Sequence, residues 1–253
     1  MLDDALPGVR RVEQIMGMPI VADVRDEIGD ATLDEVFGWF RIVDATFSTY
    51  KGDSEISRLN SGELALADAH RDVREVLDTC EAMRLDTDGY FDIRAAGGDG
   101  IDPSGLVKGW SVDRAAELLA SAGARNYAVN AGGDMRISGR AVPELEWRVG
   151  IEHPLLHDKI AAVIATTNLA VATSAAYARG DHVVNPHSGR PPQGVLSVTI
   201  TGPVLAVADA YATAAFAMGE AGPSWTARLR GYEALTIMSD GRVLSTSGFP
   251  RAS

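Results

Sequence analysis

The spacing of hydrophobic and polar positions predicts strands first and then helices in the first third of the chain. Residues 9–24 predict two short strands broken by a turn at residues 16–19. Thr32 and Glu35 have the spacing of a capping box, which predicts that a helix opens there. Its inward positions are Leu33, Val36, Phe37, Phe40 and Val43. A polar segment at residues 47–60 precedes a second amphipathic helix at about residues 72–85.

The rest of the chain predicts more strands than helices. A third helix covers about residues 109–122, with Gly123 as its C-terminal stop, and a fourth carries residues 206–218 up to Gly219. Strands are predicted at residues 127–129, 135–138, 147–152, 160–165, 170–173, 195–201, 234–238 and 243–246, the last two joined by a turn at Asp240-Gly241. Helices and strands do not alternate regularly, so we expect an α+β fold, with a mainly antiparallel or mixed sheet packed against helices.

Domain organisation and charge narrow the class of protein. No linker interrupts the sequence, which favours one domain over residues 1–253, with residues 185–194 as a loop. The formal net charge of −12 argues against binding nucleic acid or an anionic membrane, so an anionic ligand would need local cations, amides or a metal. The sequence shows neither a secretion signal nor a membrane-spanning segment, so we expect a cytoplasmic protein. Its one cysteine, Cys80, falls on an apolar helix face and is expected in the core.

One pair of oxygen-bearing side chains stands out in the last predicted helix. Asp209 and Thr213 lie four residues apart in a stretch otherwise almost free of polar groups. At helical spacing both side chains project from one face. Mg2+ prefers oxygen ligands, often completed by substrate phosphates, so one interpretation is a metal site. The alternative is structural, with Asp209 bonding locally and Thr213 bonding back to the carbonyl four residues earlier.

Other clusters of chemical interest lie at strand–helix junctions. The sequence contains no dinucleotide fingerprint, no P-loop and no zinc motif. Residues 102–109 directly precede the third predicted helix, where free amides and Lys108 could bind a phosphate, or where Asp102 or Ser104 could simply cap the helix. The glycines of residues 130–134 allow backbone to pass close to a ligand, although such turns are more often structural.

Two further clusters carry aromatic rings and a histidine. In residues 88–92, Tyr90 and Phe91 could border a planar ligand or could belong to the core. In residues 181–189, His182 begins a short predicted strand that runs into a proline turn. This histidine becomes a functional candidate only if it shares a cleft with the metal pair.

Taken together and in this order, the clusters resemble the ApbE family of FAD:protein FMN transferases. The resemblance covers nearly the whole chain. It runs through residues 16–17, 47–60, 89–92, 102–113, 130–134, 172–174, 182–189 and 208–213. Each motif is weak alone, but their joint order is specific.

The resemblance implies a Mg2+-dependent enzyme that cleaves the pyrophosphate of FAD, releases AMP and attaches FMN to a threonine hydroxyl of an acceptor flavoprotein. It implies that the Asp209 carboxylate, the Thr213 hydroxyl and the Gly105 carbonyl bind the metal. It assigns catalytic positions to His182 and Lys108. It assigns FAD contacts to Met16, Tyr50, Tyr90, Phe91, Asp92, Asp102, Lys108 and Val183.

The sequence departs from the family pattern at Met18, at Pro103-Ser104, at Ala175-Ala176 and at Asn185. Two other functions share the implied site. One is a Mg2+-dependent FAD pyrophosphatase that yields FMN and AMP, and the other is a non-catalytic FAD-binding protein. No segment resembles the sites that this family modifies, so self-labelling is not expected.

Overall fold

The computed structural model describes residues 8–95, 100–156, 158–175 and 183–252. Its α-helices are α1 (Asp30–Phe47), α2 (Glu55–Ser61), α3 (Arg71–Asp86), α4 (Ser104–Ser121), α5 (Leu205–Ala217) and α6 (Gly222–Thr226). Its strands are β1 (Val9–Ile15), β2 (Met18–Val24), β3 (Tyr127–Ala131), β4 (Asp134–Ser138), β5 (Trp147–Glu152), β6 (Ile160–Thr166), β7 (Asn168–Ala175), β8 (Val195–Gly202), β9 (Glu233–Met238) and β10 (Val243–Ser245). Single 3-10 turns occur at Leu66–Asp68 and Gly219–Ala221.

Eight of these strands form one sheet, in the order β1-β2-β3-β4-β7-β8-β9-β10. Every neighbouring pair in the sheet is antiparallel. Strands β5 and β6 form a separate antiparallel pair. The α+β class expected from the sequence is therefore confirmed, with an antiparallel sheet.

The two faces of the sheet are covered differently. Apolar side chains of α1, α4 and α5 pack against one face, with Phe37, Leu119 and Phe216 among them. The β5–β6 pair covers the other face, where Trp147 and Ile164 pack against sheet residues such as Ile137. A second cluster, which includes Phe47, Val76 and Leu106, joins α1, α3, α4 and α5 outside the sheet. The helices that carry the candidate chemistry are therefore buried on two sides.

Helix α1 has the apolar face that the sequence predicts, because all five expected inward residues are buried. The predicted capping box is wrong. The helix begins at Asp30 after Gly29, and the amide of Thr32 donates to the Gly29 carbonyl at 3.0 Å. Thr32 lies inside the first turn, where its amide already has a backbone partner.

The polar segment at residues 47–60 contains a helix that the sequence analysis missed. The Ser54 hydroxyl caps α2 by accepting from the Ser57 amide at 3.0 Å, and Gly62 ends it in the left-handed conformation. With only Ile56 buried, this seven-residue helix lacks the repeated apolar positions that predict longer ones.

Other sequence-based expectations agree with the structure. Helix α3 matches the prediction within one residue at each end, and Cys80 is buried there, which raises the pKa of its thiol to about 12. The β9–β10 hairpin turns at Asp240 and Gly241, whose φ is +85°. None of the helices in the described part of the chain combines the length and the apolar composition that a membrane crossing requires.

Candidate functional site

The first turn of α4 lies at the centre of the candidate site. The helix begins at Ser104, so the prediction that residues 102–109 precede it is wrong. Gly105 and Lys108 are helical residues, and the Asp102 carboxylate accepts from the Ser104 amide at 2.9 Å. Two glycines within six residues weaken the helical signal of the sequence, although packing against α5 favours them here.

Helix α4 approaches α5 closely at Gly109. A Cβ at this position would lie 2.6 Å from the Leu205 carbonyl oxygen, so only glycine fits without displacement. The Gly109 amide donates to the Asp209 Oδ2 atom at 3.1 Å. One turn further along α4, the Asp113 carboxylate accepts from the Ala206 amide at 2.9 Å and thereby caps the start of α5. Three contacts thus fix the two helices relative to each other.

Asp209 and Thr213 lie on α5 and line the same pocket. Asp209 is 3% exposed, and its carboxylate accepts a hydrogen bond from the neighbouring helix α4. The Thr213 hydroxyl lies 3.4 Å from the Ser174 hydroxyl on β7. A Cβ at Gly105 would lie 3.3 Å from the Thr213 hydroxyl oxygen, so this glycine lets α4 approach Thr213.

Lys108 pairs with an acidic residue that the sequence analysis did not select. Its ammonium lies 2.6 Å from Asp134 Oδ2 and 3.9 Å from Asp209 Oδ1. Asp134 is 1% exposed, and its other oxygen accepts from the Thr173 amide at 2.9 Å. In the sequence of the turn at residues 130–134, the glycines are the only residues that indicate a ligand nearby. Nothing in the sequence brings Asp134 near Lys108, because the two are far apart in the chain.

Two pockets share a wall at the start of α4. Pocket A contains most of the proposed site residues, namely Tyr90, Phe91, Asp92, Asp102, Gly105, Lys108, Val183, Asp209 and Thr213. Pocket B contains two more, Met16 and Tyr50, and has a mostly apolar surface to which Val43, Phe47 and Val107 contribute. Asp102, Ser104 and Lys108 line both pockets. The fold therefore gathers residues from positions 16 to 213 around one helix turn.

The aromatic candidates differ in their surroundings. Phe91 is 2% exposed and packs in the helical core, so the core interpretation holds for it, although it also lines pocket A. Tyr50 is 98% exposed at pocket B. The Tyr90 ring packs edge-on against the His187 ring, with centroids 4.5 Å apart, and His187 Nε2 donates to the Asp88 carbonyl at 3.0 Å. Residues 88–92 are not a strand.

His182 and Ala176 lie outside the described residues, so their predicted roles stay predictions. Val183 and Val184 belong to pocket A but form no strand, contrary to the strand predicted there. Ala175 ends β7 and also lines pocket A. The loop that follows His182 thus reaches the pocket that contains Asp209.

The oxygen atoms that line pocket A are of the kind that bind a hard cation. Asp209, Thr213 and Gly105 offer a carboxylate, a hydroxyl and a backbone carbonyl, which are oxygen ligands of the kind that Mg2+ accepts while substrate phosphates complete the shell. Over the described ranges, no group of three or more His, Cys, Asp or Glu side chains could hold a metal. A site with one carboxylate suits a cation that a phosphate helps to bind.

The sequence model of the ApbE family matches residues 16–99 and 94–236. The chain belongs to the ApbE family. Among curated proteins, it is 28% identical to an FAD:protein FMN transferase of Haemophilus influenzae, over 76% of this chain and 73% of that protein. It is 35% identical to one of Vibrio cholerae over 47% of this chain, but that match spans only 39% of the relative's length.

Solved structures show the same fold. The chain superposes on a flavin transferase ApbE from Vibrio cholerae with a TM-score of 0.83, at 23% identity, over 95% of this chain and 97% of that one. An ApbE protein from Thermotoga maritima gives a TM-score of 0.83 at 22% identity, over 96% and 99% of the two chains. The ApbE-like architecture expected from the sequence is confirmed.

Proposed function

We propose that this protein transfers FMN from FAD to a threonine hydroxyl of an acceptor flavoprotein and releases AMP, with Mg2+ as cofactor. The observation that carries the proposal is the convergence of Asp209, Thr213 and Gly105 beside Lys108 in pocket A. Relatives named FAD:protein FMN transferase support the same reaction.

The reaction is a displacement at phosphorus. The acceptor oxygen forms a bond to the phosphorus of the FMN moiety, and the bond from that phosphorus to the bridging oxygen breaks. AMP leaves with the bridging oxygen, and the acceptor proton passes to a base, for which we propose His182. A bound Mg2+ would supply charge neutralisation at the pyrophosphate and a template for in-line geometry.

The remaining chemistry falls to side chains of the chain itself. Lys108 lies between pockets A and B, where its ammonium can stabilise negative charge on a diphosphate that crosses the shared wall. Met16, Tyr50 and the apolar wall of pocket B offer a surface for a planar ring. Lys108 together with a bound Mg2+ would offset the repulsion between a protein of net charge −12 and an anionic dinucleotide.

The test combines the protein with FAD, Mg2+ and candidate flavoprotein domains, and detects FMN-modified threonine by mass spectrometry. Asp209→Asn keeps an acceptor for the Gly109 amide but removes the metal-binding charge, so we expect loss of transfer in a folded protein. Tyr211→Phe on the same helix is the control, since this hydroxyl bonds Asp86 and its ring packs against Trp225. Transfer at the wild-type rate by Asp209→Asn would refute the proposed metal site.

The same assay separates the alternatives. AMP and free FMN formed without any acceptor would identify a pyrophosphatase. Tight binding of FAD with neither AMP release nor dependence on Asp209 would identify a binding protein.

A further inference from the structure

Asp134 is a buried carboxylate whose position is fixed by the sheet. It is the first residue of β4, and its Oδ1 atom accepts from the Thr173 amide of β7 at 2.9 Å. A side chain that is 1% exposed and bonded in this way has little freedom to move. Its second oxygen, Oδ2, lies 2.6 Å from the Lys108 ammonium on α4. Asp134, fixed in the sheet, therefore lies in contact with the charged end of Lys108.

Lys108 also lies near a second buried carboxylate, but at a longer distance. Its ammonium is 3.9 Å from Asp209 Oδ1, against 2.6 Å from Asp134. The side chains of Asp134 and Asp209 are 1% and 5% exposed, so both would be costly to bury without a nearby cation. The ammonium therefore lies closer to the Asp134 carboxylate than to the Asp209 carboxylate.

This division matters because Asp209 is the proposed metal ligand. A lysine that moved fully onto Asp209 would occupy the carboxylate that a divalent cation needs. A lysine held by Asp134 lowers the energy of the buried Asp209 charge but leaves the carboxylate accessible from pocket A. The ammonium also stays beside the wall that pockets A and B share.

We propose that Asp134 is a positioning residue that holds the Lys108 ammonium beside Asp209 but not on it, and so keeps Asp209 available to a divalent cation. This role rests on the proposed function. It assigns a task to an acidic residue that lines neither pocket A nor pocket B, and that contacts the site through Lys108.

The first experiment measures Mg2+ binding to the full chain by calorimetry. Asp134→Asn keeps the size of the side chain and an oxygen acceptor for the Thr173 amide, but loses the charge that holds Lys108. We expect Mg2+ affinity to fall by about tenfold or more, which corresponds to about 1.4 kcal/mol. Asp134→Glu retains the charge and should stay within about threefold of wild type, since a carboxylate still attracts the ammonium.

A double-mutant cycle tests whether Asp134 acts through Lys108. In a Lys108→Met background no ammonium can move onto Asp209, so adding Asp134→Asn should change Mg2+ affinity much less than it does in wild type. An equal loss with and without Lys108 would show that Asp134 acts on the metal directly and would overturn the proposal. No loss in folded Asp134→Asn would overturn it as well.

A crystal structure of the wild type with Mg2+ and FAD decides the question without any variant, should Asp134→Asn fail to fold. We expect the Lys108 ammonium to remain within hydrogen-bond distance of Asp134. An ammonium that has left Asp134 would refute the role. If wild type binds Mg2+ and transfers FMN while Asp134→Asn binds Mg2+ normally, only this inference fails. If wild type neither binds Mg2+ nor transfers FMN, the proposed function fails, and the role of Asp134 with it.

Discussion

The contact between α4 and α5 at Gly109 gives a quantitative prediction, because two effects of opposite sign meet there. In Gly109→Ala the added Cβ would lie 2.6 Å from the Leu205 oxygen, 2.8 Å from its carbonyl carbon and 2.9 Å from the Ala206 Cα. All three atoms are backbone, so the helices must separate. Such overpacking costs about 1–3 kcal/mol, against which alanine gains up to about 1 kcal/mol of helix propensity over glycine.

With a mid-range overpacking cost of about 2 kcal/mol, the expected net loss is about 1–2 kcal/mol, which lowers the melting temperature by about 2–8 °C in a chain of this size. Helix separation also lengthens the bond from the Gly109 amide to Asp209 and moves Gly105 away from Thr213. Misplacement of a site by about 1 Å can cost on the order of 10²-fold in rate, so FMN transfer should fall further than stability alone explains.

The matched control is Gly38→Ala on α1. No atom lies within 4 Å of a Cβ built there, so the propensity gain should act alone and raise stability by up to about 1 kcal/mol. Thermal unfolding followed by circular dichroism measures both variants, and the transfer assay measures activity. A melting temperature of Gly109→Ala equal to or above wild type would refute the close approach of the two helices.

Three further predictions concern titration, ligand contact and catalysis. Burial raises the pKa of Asp113 from its usual 3.8 to about 6, so the folded state favours the protonated carboxyl. The stability that this preference contributes is present at low pH and is lost as pH rises through that range. Asp113→Asn keeps an acceptor for the Ala206 amide. The free energy of unfolding of this variant, relative to that of wild type, should be more favourable at pH 8 than at pH 4 by about 2–3 kcal/mol. A difference in urea unfolding that does not vary with pH would contradict this prediction. His187→Ala removes the ring that packs against Tyr90, which lines pocket A, and should raise the KM for FAD about two- to tenfold. His153→Ala, between β5 and β6, should leave this KM unchanged. Equal KM values for the two variants would show that the Tyr90–His187 contact does not support FAD binding. His182→Ala should slow transfer by about 10²–10⁴-fold with a smaller change in FAD affinity, and a wild-type rate would exclude a role as the base.

The long periodic helices of this fold were predictable, and the short helices were not. The apolar face of α1 and both ends of α3 follow from helical spacing alone. Helix α2 was not predicted, because seven residues with one buried side chain show almost no helical periodicity. The start of α4 was misplaced because Gly105 and Gly109 resemble loop residues, and only their packing against Phe91 and Leu205 shows why a helix keeps them.

The candidate site shows the same division. The spacing of Asp209 and Thr213 was enough to predict that both would share a helix face, and the structure brings Gly105 and Lys108 to the same pocket. Asp134 could not be found in this way, because its partner is 26 positions away and the contact depends on strand order. The surroundings of loop residues such as Tyr90 were not predictable either, because Tyr90 packs against His187, about a hundred residues later in the chain.

By itself, the sequence determined which segments are helices or strands over most of the chain, and which helix face carries a carboxylate and a hydroxyl, because both depend on interactions between residues near in the chain. The tertiary structure decided how close α4 lies to α5, which carboxylate holds Lys108, and that two pockets share one helix turn. These features arise from packing and charge pairing between distant residues, and local spacing contains no information about either.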